Sequence, residues 1–395
     1  MPPLPTSDDV LVALRGVIDP ELGADIVELG MARAAAVAPD GAVRVTVALT
    51  TAGCPLRAQL MREIVTRVEG LPGVTSVAID WAEMTAEQKA AAMDVARRAA
   101  QDSAGPTAVP TGARVLAVAS GKGGVGKSSV TANLAAALAA RGFAVGVIDA
   151  DIWGFSIPRM LGLEGRLAAE ATPDGGRRIQ PHTVPVGPGR LDVVSMGLLV
   201  DDETDALMWR GLILNRAVQH FLEDVAWADD LDYLVIDLPP GTGDVQMGLA
   251  RMLPQAEMLV VTTPALAAQR VAARAVTMAR KSHLHVLGVI ENMSAFRCEH
   301  GELHAVFGEG GGAALAADAE VPLVGTVPLE PAVSAGGDAG QPVALASGDA
   351  ADAFRAITSR LVDELAPPVA MAGCSARMLA AATAALDAAL DPAST

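Results

Sequence analysis

Residues 121–128 read Gly121-Lys122-Gly123-Gly124-Val125-Gly126-Lys127-Ser128, and their flanks decide the fold. The apolar run Val115-Leu116-Ala117-Val118-Ala119 precedes them, and Ser129-Val130-Thr131-Ala132-Asn133-Leu134 follows in a helical pattern. Strand, glycine loop and helix in that order form a phosphate cradle. Glycines let successive backbone N–H groups crowd round an anion, and the helix N-terminus adds its positive dipole end. In such a loop Lys127 reaches the β- and γ-phosphates and the Ser128 hydroxyl ligates Mg²⁺, while the backbone from Gly121 to Ser129 encloses the nucleotide. The alternative, a glycine-rich turn with no ligand, accounts for neither flank.

Working outward, the chain from Arg114 on alternates strands and helices, the pattern of a parallel sheet covered by helices on both faces. Buried strands are expected at 114–119, 143–149, 190–196, 232–237, 257–263, 286–291 and 323–327, with a helix between each pair. Two of them end in acids. Val145-Gly146-Val147-Ile148 runs into Asp149-Ala150-Asp151, and Leu234-Val235-Ile236 runs into Asp237, then Leu238-Pro239-Pro240-Gly241-Thr242-Gly243-Asp244. An unpaired carboxylate at the end of a buried strand is costly, so a cation partner is expected for each. Asp244 also reads as the cap of the next helix.

Ahead of this region lies a small α/β unit. A helix is expected to start near a cap at Ser7 and to bury Val10, Leu11 and Leu14. Strands at 31–38 and 43–50 flank the turn Pro39-Asp40-Gly41. Cys54-Pro55 opens a helix through Val68, a strand covers 74–80, and a helical segment runs from Thr85 to about Ala100. The expected division is 1–82 for the small domain, 83–113 for a helical segment and linker, 114–366 for the nucleotide domain, and 367–395 for a linker and alanine-rich helix. No internal repeat is visible.

The bulk numbers exclude some partners. The 395 residues carry a formal charge of −17, which argues against nucleic acid or an anionic membrane as a main partner. The three cysteines, Cys54, Cys298 and Cys374, make no disulfide framework and suit a reducing compartment. The start, Met1-Pro2-Pro3-Leu4-Pro5, has neither the basic nor the apolar region of an export signal. No apolar run is long enough to span a bilayer. A soluble, cytoplasmic protein without a stable membrane anchor is expected.

The loop with its early lysine, Lys122, resembles the deviant Walker A loop of the family holding nitrogenase iron protein, MinD, ParA and the Mrp/ApbC iron–sulfur carriers. The resemblance implies that Lys122 acts across a homodimer on the partner's ATP, in contrast to a plain solvated lysine. Asp149-Ala150-Asp151-Ile152-Trp153-Gly154 and Asp237-Leu238-Pro239-Pro240-Gly241-Thr242-Gly243-Asp244 are similar to the switch motifs of the Mrp/ApbC subfamily. So are Trp209-Arg210-Gly211, Glu291-Asn292-Met293-Ser294 and Phe307-Gly308-x-Gly310-Gly311. By that likeness Lys122, Lys127 and Asp151 are catalytic, with Asp151 positioning the lytic water. Asp237 holds Mg²⁺ through water, Asn292 reads the adenine edge, and Asp149, Asp151 and Asp244 form the switch. Asp19-Pro20-Glu21-Leu22, Glu28-Leu29-Gly30-Met31 and Thr50-Thr51-Ala52-Gly53-Cys54-Pro55-Leu56 look like the small iron–sulfur-assembly domain of SufT-type proteins. There Cys54 is either an activated thiol at a helix start or a small apolar residue packed beneath it.

The resemblance implies a slow, Mg²⁺-dependent ATPase that carries or assembles iron–sulfur clusters for apoprotein clients, with a 4Fe-4S cluster bridging its dimer. Such carriers supply a Cys-x-x-Cys pair from each subunit. This chain has Arg297-Cys298-Glu299-His300-Gly301-Glu302-Leu303-His304, with one cysteine. Cys298, His300 and His304 give mixed ligation, or the stretch is a hairpin turning at His300-Gly301 with incidental Cys and His. Phe155 and Leu212 also stand where the subfamily has proline. Two other functions stay open: a positioning ATPase like MinD or ParA, and an ATP-switched scaffold without its own cluster.

Overall fold

The computed structural model describes residues 3–19, 22–50, 57–103, 105, 107–151, 154–171, 177–199, 211–241 and 244–369. The expected contacts of Cys54 and the alanine-rich helix at 376–390 fall outside them. Two compact units emerge: Met1–Gly105 with Met247–Gln255 and Met278–His285, and the remainder. No helix among the described residues is long and apolar enough to cross a membrane.

In the first unit, helix α1 (Ser7–Leu14) is started by Thr6 rather than Ser7. The Asp9 N–H donates to the Thr6 hydroxyl and the Thr6 N–H to the Asp9 carboxylate, a reciprocal box that Ser7 is one residue too late to make. Strands β1 (Ala32–Val37) and β2 (Ala42–Leu49) pair antiparallel round a turn at Gly41, whose φ is +83°. After α2 (Arg57–Glu69), β3 (Ser76–Glu83) joins β2 in parallel, and α3 (Ala86–Ser103) follows. Val10 and Leu14 of α1, alternate β2 residues Val43, Val45 and Val47, and Leu60, Ile64 and Val68 of α2 make one core. The spacing of two along the strand and three to four along the helices is what places them on one side.

The second unit begins with β4 (Arg114–Ser120), the loop, α4 (Lys127–Ala140) and β5 (Ala144–Asp149). Helix α4 is buried all round, and its alanines allow the close packing that a central helix needs. Between β5 and the strand expected at 190–196 the structure departs from a helical crossover. A single turn, α5 (Ile157–Met160), leads to a hairpin of β6 (Ala168–Ala171) and β7 (Arg177–Gln180). Then β8 (His182–Val186) pairs antiparallel with β9 (Gly189–Ser195) through Gly187-Pro188, with Gly187 at φ +56°. Thr183, Val184 and Val186 suit a strand, and the stretch has no apolar stripe of helical period to bury.

The chain continues as α6 (Gly211–Glu223), β10 (Tyr233–Asp237), α7 (Asp244–Met252), β11 (Glu257–Thr262), α8 (Leu266–Lys281) and β12 (His285–Glu291). A small hairpin, β13 (Phe296–Arg297) and β14 (Leu303–His304), precedes α9 (Gly311–Asp318), β15 (Leu323–Thr326), α10 (Pro331–Asp338) and α11 (Asp349–Arg360). The eight-stranded sheet has the order β15-β12-β11-β4-β10-β5-β9-β8 and is mostly parallel, flanked by helices. Beyond α11, the fully buried Tyr233 of β10 donates its hydroxyl to the Ala366 carbonyl at 2.9 Å. Strand β10 is central, and its register sets Asp237 beside Val118 of β4 and Asp149 of β5. The carboxyl edge of the sheet thus lines up the loop and both acidic strand ends.

Candidate nucleotide site and the cysteine hairpin

The loop is held by close approach as much as by turns. A Cβ on Gly121 would lie 2.3 Å from the Val271 carbonyl carbon of α8. Gly126 starts α4 at φ +79°, and a Cβ there would meet the Asn292 amide nitrogen at 2.2 Å. Only glycine fits either place.

Three donors converge on one carboxylate. Lys127 Nζ lies 2.6 Å from Asp237 Oδ2, and the Ser128 hydroxyl donates to the same oxygen at 2.6 Å. The Thr131 hydroxyl donates to Asp237 Oδ1 at 2.7 Å. Asp237 is wholly buried, so this donor set is what makes its charge tolerable there. Asp151 Oδ2 stands 4.0 Å from Lys127 Nζ, and its Oδ1 accepts the Gly154 N–H at 3.1 Å. Thr131 was not legible as a site residue, although it sits one helical turn after Lys127 on the same face.

Asp149 is also wholly buried, and accepts from the Ser195 hydroxyl at 3.0 Å and the Asp151, Ser156 and Ile157 N–H groups. Burial first, and then the neighbouring Asp237 charge, push its carboxyl up to about 7 against the opposing pull of Lys127. A raised folded-state value means that the native protein holds the proton more tightly than the unfolded chain. The resulting stability is full below about pH 4 and is lost as pH rises through 7. Urea melts at several pH values should therefore show wild type losing on the order of 1–3 kcal/mol relative to Asp149→Asn between pH 5 and pH 8. A constant difference across that range would remove the buried proton.

Asn292 follows β12, is buried, and donates its Nδ2 to the Val125 carbonyl at 2.9 Å, stitching its loop to the glycine loop. Beside it a cavity of about 230 Å³ is lined by Gly126, Ser129, Met160, Asn292, Met293 and Glu330, among others. Met293 holds the left-handed backbone at φ +57°, a strained conformation that concentrates at binding sites. Lys122 is exposed, and its carbonyl accepts the Ser120 hydroxyl at 3.0 Å. Asp244 opens α7. Trp209, Arg210, Thr242 and Gly243 lie outside the described residues.

The stretch after Asn292 is a hairpin turning at His300-Gly301, and its cysteine is not isolated. Ligand atoms of Cys298, Glu302 and His304 lie within 4.8 Å of one another, while His300 is not part of the group. A hydrogen bond with His304 holds the Cys298 thiol below its ordinary value, aided by backbone N–H groups.

Comparison with known proteins adds to this geometry. The family model described as ParA, NUBPL iron-transfer P-loop NTPase, matches residues 112–362. The chain belongs to that family. A second model, iron–sulfur cluster assembly protein, matches residues 7–81. The iron–sulfur cluster carrier protein of Mycobacterium tuberculosis is 44% identical over 349 residues, covering 87% of this chain and 89% of the relative. Its counterpart from Synechocystis is 39% identical over 369 residues, covering 93% and 99%. A nucleotide-binding protein of Archaeoglobus fulgidus, solved in complex with ADP, is 34% identical with a TM-score of 0.50, covering 61% of this chain and 91% of that one. The resemblance read from the switch motifs is thus upheld at the level of family and fold.

Proposed function

We propose that this member of the iron-transfer NTPases is a slow, Mg²⁺-dependent ATPase that carries or assembles iron–sulfur clusters for apoprotein clients as a nucleotide-switched homodimer of the cytoplasm. The observation that carries the reading is the convergence of Lys127, Ser128 and Thr131 on Asp237, in a chain so similar to the carriers. In this reading the backbone from Gly121 to Ser129 wraps the phosphates, and Lys127 turns from Asp237 to the β- and γ-phosphates. Hard oxygen donors at Ser128 and Asp237, 2.6 Å apart, fit Mg²⁺, which Ser128 would hold directly and Asp237 through water. When bound there, the ion would supply positive charge against the phosphates.

Asp151 orients the attacking water, and Asn292 presents its carbonyl oxygen to the adenine edge. Contacts to the γ-phosphate order Asp149, Asp151 and Asp244, and their loops report nucleotide state to the dimer. Residues 1–82 act as the assembly-type domain with Cys54 as a candidate thiol, 83–113 as its tether, 114–366 as the ATPase and 367–395 as a tail. The Cys298 hairpin contacts the cargo.

Exposed Lys122 supports a role in trans. Lys122→Ala should leave ATP binding within about threefold of wild type. Hydrolysis should fall roughly tenfold or more, because a charge aimed across the dimer would stabilise the transition state on the partner's ATP. ATP-dependent dimerisation, followed by light scattering, should weaken in parallel. Equal and complete loss of binding in the Lys122 and Lys127 variants would remove the trans role. The carrier reading itself is tested by anaerobic reconstitution and transfer of iron and sulfide to an apoprotein, with and without ATP. No transfer under either condition leaves an ATP-switched scaffold in its place.

A further inference from the structure

We propose that the β13–β14 hairpin is a binding site for a single divalent first-row transition ion, one per chain, held by the Cys298 thiolate, the Glu302 carboxylate and the His304 imidazole. The inference rests on the carrier reading for what the ion is for, namely iron held as one ion within a chain. Its chemistry and its test do not depend on ATP.

The register of the hairpin brings the three donors together. Phe296 pairs with His304, and Arg297 with Leu303. Side chains alternate along each strand, so positions 296, 298, 302 and 304 share one face, and 297 and 303 share the other. The turn is closed by the Cys298 N–H donating to the Glu302 carbonyl and the Gly301 N–H donating to the Cys298 carbonyl, both at 2.9 Å, with Gly301 at φ +85°. That closure sets Cys298 opposite Glu302 and leaves His300 in the turn.

The opposite face fastens the hairpin. Arg297 Nε donates to Asp349 at 2.7 Å and its Nη1 to the Gly301 carbonyl at 3.3 Å, while at the strand edge the Phe296 backbone forms a bridge with Leu329. The scaffold is therefore tied down on one side, and the donors stand on the other.

Distances fit a small metal after modest side-chain rotation. A four-coordinate site with metal–sulfur bonds of ~2.3 Å and metal–nitrogen or –oxygen bonds of ~2.0 Å separates its donors by ~3.3–3.6 Å. The three here already lie within 4.8 Å of one another, and Glu302 and His304 are exposed and able to turn inward. One thiolate, one imidazole and one carboxylate select ions of the Fe²⁺ and Zn²⁺ class over Mg²⁺ or Ca²⁺. Three protein ligands leave a fourth position open, as an ion destined to be handed on requires. The two anionic donors balance a divalent charge within one chain, so no second subunit is needed to complete the set.

The test uses full-length, reduced, metal-free protein titrated anaerobically with Co²⁺ alone. The expected result is saturation at one Co²⁺ per chain with thiolate-to-cobalt charge-transfer absorption in the near ultraviolet. Cys298→Ser should abolish that band. His304→Gln and Glu302→Gln should each weaken binding at least ~10-fold, while His300→Gln leaves it unchanged, and circular dichroism checks that every variant stays folded. Saturation at one Co²⁺ per two chains would overturn the proposal in favour of a bridging site. A band that survives Cys298→Ser, equal loss in the His300 and His304 variants, or no band at all would overturn it outright. Intact Co²⁺ binding without transfer to an apoprotein would refute the carrier reading alone, and transfer without the band would refute this site alone.

Discussion

Lys127→Ala should abolish ATP binding and turnover, the largest effect of any single substitution in the chain. Its ammonium is the one cation among the described residues within 4 Å of Asp237 and Asp151, and its side chain is 5% exposed. A lysine so enclosed would face the phosphates with little screening, and among the described residues no second cation pairs with Asp237. The same substitution strips the partner from a wholly buried Asp237 that lies in register beside Asp149. Removing one member of a buried pair costs ~3–5 kcal/mol, so the variant should also melt earlier. Calorimetry with ATP, alongside thermal melts, separates the two effects. ATP affinity within tenfold of wild type in a folded variant would exclude Lys127 from the phosphate site.

Asp151→Asn should bind ATP nearly as wild type does and hydrolyse it ~10²-fold or more slowly, the usual cost of losing a positioned base. The reason for expecting separation lies in how its two oxygens are used. Oδ1 accepts the Gly154 N–H, and an asparagine carbonyl can keep that bond and hold the loop. Oδ2 stands 4.0 Å from Lys127 Nζ, and an amide there has no basicity to orient and polarise water. Single-turnover hydrolysis and equilibrium binding measured on one preparation give the comparison. Unchanged turnover would mean that another group positions the water.

The strand, glycine loop and helix were legible from sequence because each part has a local cause: an apolar run, glycines that admit close backbone, and a helical pattern. The seven parallel-sheet segments were legible for the same reason, and all are strands. What local pattern does not encode is which strands are neighbours. That Asp149 and Asp237 lie side by side, so that the Asp237 charge adds to burial in raising the Asp149 carboxyl, follows from β10 lying next to β5. Thr131 was hidden because a threonine inside an alanine-rich helix has no signature until Asp237 is placed beside it. The β8–β9 pair did leave a sign, Gly187-Pro188-Gly189 between alternating runs, which an assumption of helical crossovers masks. At the hairpin the sequence offered Cys298, His300 and His304. With the turn at His300-Gly301, alternation puts Glu302, not His300, on the cysteine's face.

The hydrogen bond from Tyr233 to the Ala366 carbonyl fixes where the second unit can be cut. Its donor lies at the centre of the sheet, and its acceptor lies beyond α11, 133 positions later in the chain. A chain ended after Pro367 keeps the acceptor. Ending the chain before Ala366 leaves a phenol stranded in the core, which costs about 1–3 kcal/mol. Among the described residues, trimming from the carboxyl end first removes a fully buried position at Ala366. The side chain that holds Ala366 belongs to β10, the strand that also carries the shared aspartate.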